Sequence, residues 1–380
     1  MRRPKNNHPL APLAALLRRR ATLVRNPRIH CLMEKILIIL TPGFPASETD
    51  STCLPLQQQV VLALNRLFPS LIIKILSFQY PHIAKTYHWF GNEVICFGGR
   101  NRGNFRRLWL RRKVQTQLDQ IHSLNQIHGI FSFWFGECAL VGKKFADRNN
   151  LKHYCWLLGQ DARLTNPYPK RVSLHGSELV ALSDFLQNEY ERNHKVKPHR
   201  VIEAGVPGGS YSLPPKKREI DLLAVGSLIS LKNYDVFIDV VAAIRKIVPA
   251  VKAVIVGSGP EEARLQNKIE LSGLQSNIKM TGQLPYAYVL DHMERAKVFL
   301  HPSSYEGFSG VCLEAISLGA HVVSFCKPMN TEIRNWIVVN NPEQMLNKSL
   351  AILLNPYMEF TPQVEYNIDE TAKKIVSLFA

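Results

Sequence analysis

No C-x-x-C pair occurs in the chain, although seven cysteines are scattered through its 380 residues. An odd number without paired spacing argues against a disulfide framework and a structural zinc site, and fits a reducing setting. No apolar run nears the ~18 residues that a bilayer span requires. Any membrane association would therefore be peripheral. Repeats of solenoid period are also missing, which excludes a stacked array. Acid is absent from two stretches. Residues 1–32 hold eight Lys/Arg and no Asp or Glu; residues 98–113, GGRNRGNFRRLWLRRK, hold seven and none. Such surfaces attract phosphates, whether on lipid, nucleic acid or a sugar nucleotide.

What is present is an excess of 47 Lys and Arg over 30 Asp and Glu, or +17, in a chain long enough for two or three cores. Within residues 1–32 the short run PLAPLAALL is followed at once by RRR rather than by a small-residue cleavage site. The segment reads as a disordered basic extension, and MEKILIILTPGFP, from Met33, as the start of the globular body.

From there short apolar runs alternate with longer amphipathic ones. KILIIL (35–40), LIIKILS (71–77), GIFSFW (129–134), HYCWLL (153–158) and LVALSD (179–184) read as strands, and residues 54–67 and 104–124 as helices. The pattern breaks at residues 205–220, which are rich in Gly, Pro and charge. It then restarts. DLLAVGS, VKAVIVGSG, NIKMTG, KVFLHPSS and AHVVSF read as strands with helices between them, one of them opening on Pro260. Residues 342–354 and 367–379 read as closing helices. The expectation is an α/β protein of two Rossmann-like domains, residues 33–204 and 221–362, joined by a linker over 205–220. A C-terminal helix within 363–380 would pack back on the first domain, and ligand would lie between the domains at the carboxyl ends of the strands.

Three loops of the second half lie between a strand and a helix: GSLISLKN (226–233), GSGPEE (257–262) and SSYEGFSG (303–310). Helix N-termini offer unpaired N–H groups and partial positive charge, and Lys232 adds an ammonium. A diphosphate could be held there without a metal. Glu314, inside the helix that starts near Gly310, could accept hydrogen bonds from vicinal hydroxyls, and Glu306 would face another part of the same ligand. That spacing suits a nucleotide-sugar. The bland alternatives are a surface carboxylate, a helix-end charge and a solvated lysine.

The four motifs VGSLISLKNYD, VIVGSGPEEARL, TGQLPY and VFLHPSSYEGFSGVCLEAISLGAHVVSF, in this order, resemble the retaining glycosyltransferases of family 4, which have the GT-B fold. The resemblance covers residues 221–327. It implies that Glu306 and Lys232 are the catalytic pair, with Glu306 on donor-sugar hydroxyls and Lys232 on the leaving diphosphate. It implies backbone contacts from Gly307, Phe308, Gly310 and Val311, and a ribose contact from Glu314. Gly226, Ser227, Gly257, Gly259, Gly282, Leu284, Ser303 and Ser309 complete the donor side. It also implies retention of anomeric configuration, no metal and no cofactor besides the donor. The chain departs from the family pattern at Ser227, where the family usually has Arg, and at Ser309, where it usually has Gly. LGQD (158–161) matches a family turn only at Gly159 and Asp161.

On the acceptor side the candidates are Asp161, equally readable as a turn residue, and His175 in SLHGSE. His128, His153 and His301 read as core or edge histidines. In residues 98–113, Arg106, Arg107, Trp109, Arg111 and Arg112 are read as an interfacial helix on anionic lipid, against a plainly solvated face. No nucleic-acid-binding motif accompanies the charge, so nucleic acid is not expected as a partner. The expected activity is sugar transfer from a nucleotide-sugar to a glycan or lipid-linked hydroxyl. The resemblance places it in surface-polysaccharide or lipopolysaccharide synthesis, on the cytoplasmic face of the plasma membrane. Two rivals stay open: a nucleotide-sugar epimerase of the same fold, and a non-catalytic nucleotide- or glycan-binding protein.

Overall fold

The computed structural model describes residues 36–103, 105–208 and 216–380. The expectation for residues 1–32, and residues 209–215 of the proposed linker, lie outside these. Strand β1 (Ile36–Gly43) is almost wholly buried, as its unbroken apolar run demands of a strand covered on both faces. It sits near the middle of an 8-stranded sheet ordered β3-β4-β2-β1-β5-β6-β7-β8. The other members are β2 (Ile72–Tyr80), β3 (Lys85–Trp89), β4 (Asn92–Cys96), β5 (Ile127–Phe133), β6 (His153–Leu157), β7 (Leu179–Ala181) and β8 (Arg200–Val201). Only the β3–β4 hairpin is antiparallel. The helices of this half are α1 (Pro55–Leu67), α2 (Phe105–Leu124), α3 (Glu137–Asn149) and α4 (Asp184–His194).

A second, fully parallel sheet of 6 strands is ordered β11-β10-β9-β12-β13-β14. It contains β9 (Ile220–Val225), β10 (Ala253–Val256), β11 (Ile278–Met280), β12 (Ala296–His301), β13 (His321–Ser324) and β14 (Trp336–Val338). Its helices are α5 (Tyr234–Arg245), α6 (Glu262–Leu271), α7 (Tyr286–Glu294), α8 (Gly310–Ser317) and α9 (Pro342–Leu354). The two Rossmann-like halves face each other across a cleft.

Several elements escape the sequence pattern for physical reasons. Helix α3 starts on Gly136, which supplies no capping side chain. Helix α4 buries only Leu186 and Tyr190, too few apolar positions to show a period. Its start signal is nonetheless real, since the Ser183 hydroxyl accepts from Leu186 N at 3.1 Å. The expected helix start at Pro260 is corrected: α6 begins at Glu262, and Pro260 belongs to the preceding turn.

The last helix, α10 (Ile368–Ser377), lies against α1 of the first half. Asp369 pairs with Arg66, and Thr371 Oγ1 donates to the Glu203 carbonyl at 2.9 Å. Beyond it Phe379 seats on Gly129 of β5, where a Cβ would lie 2.2 Å from the ring. The halves also touch directly. Tyr286 N donates to Ser51 Oγ at 3.2 Å, Phe185 N to the Pro328 carbonyl at 3.1 Å, and Asn330 N to Asp184 Oδ2 at 2.8 Å.

Because the Phe379 ring occupies the space of a Gly129 side chain, Gly129→Ala must displace it or shift β5. Overpacking of this kind costs about 1–3 kcal/mol. The expected outcome is a lower thermal unfolding midpoint, partly restored by adding Phe379→Ala. A Gly129→Ala midpoint equal to wild type would contradict the docking.

Candidate active site

The carboxyl ends of β9, β10 and β12 carry the three Gly-rich loops, so the sheet gathers them at one edge of the cleft. Gly257 has φ +145°, and a Cβ there would lie 1.9 Å from the Gly226 carbonyl oxygen. Only glycine lets those two loops touch. Gly226 and Ser227, Gly257, Leu284, Gly310, Val311 and Glu314 line a cavity of about 380 Å³. Its opposite wall comes from the first half through Ser51, Thr52, Pro55 and Leu56. The pocket is thus interdomain, and one of its wall contacts is the Tyr286–Ser51 bond.

Gly310 opens α8, and a Cβ there would meet nothing within 4 Å. The first N–H groups of this helix have no intrahelical acceptors and carry the positive end of its dipole. Further along, Glu314 accepts from the Tyr286 hydroxyl at 2.9 Å. Burial pushes the Glu314 carboxyl up to about 7, with the tyrosine bond pulling the other way.

Beside this cavity lies a second charged group. Lys232 ends a short turn, Ser230–Lys232, that is stitched to the next loop. Asn233 Nδ2 donates to the Pro302 carbonyl at 3.1 Å, and Ser304 N to the Leu231 carbonyl at 3.0 Å. The stitching puts the Lys232 ammonium on Glu306 Oε1 and within about 4 Å of a Cβ at Gly226. His301 Nε2 lies 3.2 Å from the same carboxylate oxygen and 3.1 Å from Ser309 Oγ. An ionised carboxylate can only accept, so Nε2 carries the proton. Burial alone would raise the Glu306 pKa. The His301 bond and the Lys232 charge more than offset it and hold the carboxyl down at about 2. Burial lowers His301, which is consistent with a neutral imidazole. His301 therefore belongs to the site and is not merely a core histidine. Its signal in the sequence was only its place at a strand end, five residues before Glu306.

Both neighbours of Glu306 are docked on the first half. The Tyr305 hydroxyl donates to the Gly159 carbonyl at 3.1 Å, and the Arg163 guanidinium lies 4.0 Å over its ring. A Cβ on Gly307 would lie 2.7 Å from the Leu158 carbonyl oxygen, and the Gly307 carbonyl accepts from Ser183 Oγ.

Other candidates sit elsewhere. Gly259 faces the backbone of Leu228, 2.5 Å from a Cβ, and so packs the loop from behind. Gly282 accepts from Gly257 N at 2.9 Å and supports the loop. Ser303 is fully buried beneath the site, and Phe308 packs against Trp336 and Tyr366 in the core. Asp161 is buried with its carboxylate accepting from Phe135 N, Leu158 N and Gly159 N, so it builds the turn that receives Tyr305. It does not face the cavity. His175 is exposed before the amino end of β7, the opposite edge of the sheet from the cleft. Arg107 and Arg111 are paired with Glu137, which offsets part of the charge expected of them at this surface. Among the described residues no group of three His, Cys, Asp or Glu side chains is gathered as a metal ion would need.

The raised Glu314 pKa carries a sign. The folded chain holds this proton more tightly than the unfolded one, so stability falls as pH rises from about 4.5 to about 7. Glu314→Gln should flatten that slope and raise the unfolding temperature at pH 8. Matching pH profiles for wild type and variant would refute the burial argument.

With this geometry in view, the likenesses to known proteins fall into place. Residues 211–374 match the family model of glycosyl transferases group 1. The chain is 33% identical over 227 residues to the phosphatidylinositol N-acetylglucosaminyltransferase gpi3 subunit of Schizosaccharomyces pombe, covering 58% of this chain and 48% of that protein. It thus spans about half the length of this curated relative. Among solved structures, it is similar to sucrose-phosphate synthase from Thermosynechococcus elongatus, with TM-score 0.64 and 16% identity over 91% of this chain and 95% of that one. It is likewise similar to Anabaena HepE in complex with UDP and glucose, with TM-score 0.61 and 15% identity over 90% and 95%. The chain has the GT-B fold, and its likeness to the group 1 glycosyl transferases lies in the second half, where the family model matches.

Proposed function

We propose that the protein is a retaining glycosyltransferase of family 4 type that moves a sugar from a nucleotide diphosphate donor to an acceptor hydroxyl. The observation that carries this reading is one interdomain cavity with Glu314 on its wall, the open N-terminus of α8 beside it, and the Lys232–Glu306–His301 group adjoining. The ribose hydroxyls would donate to Glu314. The diphosphate would take the α8 N–H groups and Lys232. Glu306, ionised at any ordinary pH, would accept from the sugar hydroxyls. As the anomeric carbon–oxygen bond to the diphosphate breaks, the acceptor oxygen bonds to that carbon on the same face and its proton passes to a diphosphate oxygen. The departing negative charge is what the fixed N–H groups and Lys232 stabilise.

UDP-N-acetylglucosamine is the donor to test first. A relative at 33% identity is named for N-acetylglucosamine transfer, and a solved structure of the same fold holds UDP. The acceptor we assign is a lipid-linked or surface glycan, handled at the cytoplasmic face of a membrane.

The decisive experiment follows UDP release and sugar transfer for wild type, Glu306→Gln and Lys232→Ala. Each substitution should lower the rate at least ~100-fold, as removal of a charge-stabilising group does. A wild type that binds UDP but turns over no donor would establish the non-catalytic alternative, and acceptor-free conversion of the donor sugar would establish the epimerase. Separately, Ser227 is exposed on the cavity wall where the resembled family carries Arg. Ser227→Arg is expected to tighten UDP binding by about tenfold, the lower range of a charge-assisted phosphate contact. Unchanged affinity by calorimetry would remove the diphosphate from that wall.

A further inference from the structure

We propose that the amino-terminal half of α2, with the turn at Ile83, docks on an anionic lipid bilayer, and that the cavity beside it takes a phosphate-bearing headgroup. Helix α2 buries a single stripe, Leu110, Val114, Leu118 and Ile121. Its other faces leave Phe105 88% exposed, Trp109 60% and Leu108 48%. Ile83, 69% exposed, shares this corner. The loop before α2 packs on it, since a Cβ on Gly98 would lie 3.0 Å from the Ile83 carbonyl carbon, and Arg100 Nε donates to the His82 carbonyl at 2.7 Å.

Charge surrounds these apolar groups. Arg106, Arg112 and Lys113 are exposed, and the Lys113 ammonium lies 3.6 Å from the centre of the Trp109 ring. Between Glu93 and Asp119 the chain has no acidic residue. Because Arg107 and Arg111 are held by Glu137, the outward cations are those flanking Phe105 and Trp109. Next to them a cavity of about 640 Å³ runs between α2 and the β3–β4 hairpin. Lys85, Arg112 and Lys113 line it together with Thr86 and Thr116, and no carboxylate does. Rings that project from a cationic, acid-free surface match the bilayer interface, where apolar groups enter the acyl boundary and ammonium and guanidinium groups meet phosphate. A polyanion dissolved in water would use the cations and leave Phe105 and Ile83 without a role. In the described residues no helix is long and apolar enough to cross a membrane, so the contact would be interfacial.

The surface does not depend on the sugar-transfer reading. It also lies on the cleft side. Strand β4 runs parallel to β2 and β1, so the loop leading from it into α2 leaves from the carboxyl edge of the sheet, the edge that faces the cleft.

The test is co-sedimentation of the full chain with vesicles of phosphatidylcholine alone or with about one-third phosphatidylglycerol, at physiological salt. Binding to the anionic vesicles should exceed binding to the neutral ones at least ~tenfold, and Arg112→Glu/Lys113→Glu and Phe105→Ala/Trp109→Ala should each lower it about tenfold or more. Residues 1–32 are present in every arm, so a loss in the variants reports α2 and not that basic segment. A thermal unfolding midpoint within a few degrees of wild type shows that a variant is folded. Equal binding to both vesicle types, or variants that bind as wild type does, would overturn the proposal. So would salt-sensitive RNA binding that displaces the vesicles and survives Phe105→Ala/Trp109→Ala.

Discussion

The site depends on a contact with no side chain at its centre. Gly307 lies so close to the Leu158–Gly159 turn that a Cβ would meet the Leu158 carbonyl oxygen at 2.7 Å. On one side Tyr305 bonds to Gly159; on the other Ser183 bonds to the Gly307 carbonyl. The residue between them, Glu306, is therefore placed by both halves of the molecule. Its carboxylate then fixes the Lys232 ammonium, and Lys232 fixes the edge of the Gly226 loop. Asp161 supports this from below by satisfying the N–H groups of the receiving turn. A small change in the spacing of the two sheets would reach the carboxylate before it reached the core.

The two glutamates of the second half work in opposite electrostatic settings. Glu306 keeps its charge because a ring N–H and an ammonium meet it. Glu314 has one hydroxyl donor and otherwise little but desolvation, so near neutral pH it is divided between its two protonation states. A ligand that offers hydroxyl donors to Glu314 favours its ionised form, so binding there releases protons. A ligand anchored on Glu306 needs no such change. The same residue type thus gives a permanently charged anchor and a conditional one, and the difference lies in what surrounds each.

How much of this could be read in the sequence depends on how local the information is. The second half was legible because its loops repeat a strand, a small-residue turn and a helix within a few residues each, and Glu306 and Glu314 straddle one such turn. In the first half five strands and two helices were legible, but its share of the site was not, because that share is long-range. Ser51 and Thr52 sit in a loop with no signature and gain meaning only by meeting Tyr286 from the other domain. His301 looks like any histidine at the end of an apolar strand until Ser309 and Glu306 fold back onto it. Arg107 and Arg111 could not be told from Arg106 and Arg112 by spacing alone. What separates them is Glu137, the first residue of a helix whose start carries no capping side chain. Asp161 was visible as a turn residue, and its carboxylate accepts from Leu158 N and Gly159 N of that turn and from Phe135 N.

The return of α10 and Phe379 to the first half bears on biogenesis. Gly129 on β5 waits for an aromatic ring that the ribosome delivers only after the whole second half has been made. During translation the first half must therefore persist with this part of its surface uncovered, together with the face of α1 that α10 later occupies. The emerging chain consequently exposes apolar surface until α10 and Phe379 leave the exit tunnel, which is the interval in which a nascent-chain chaperone has something to hold.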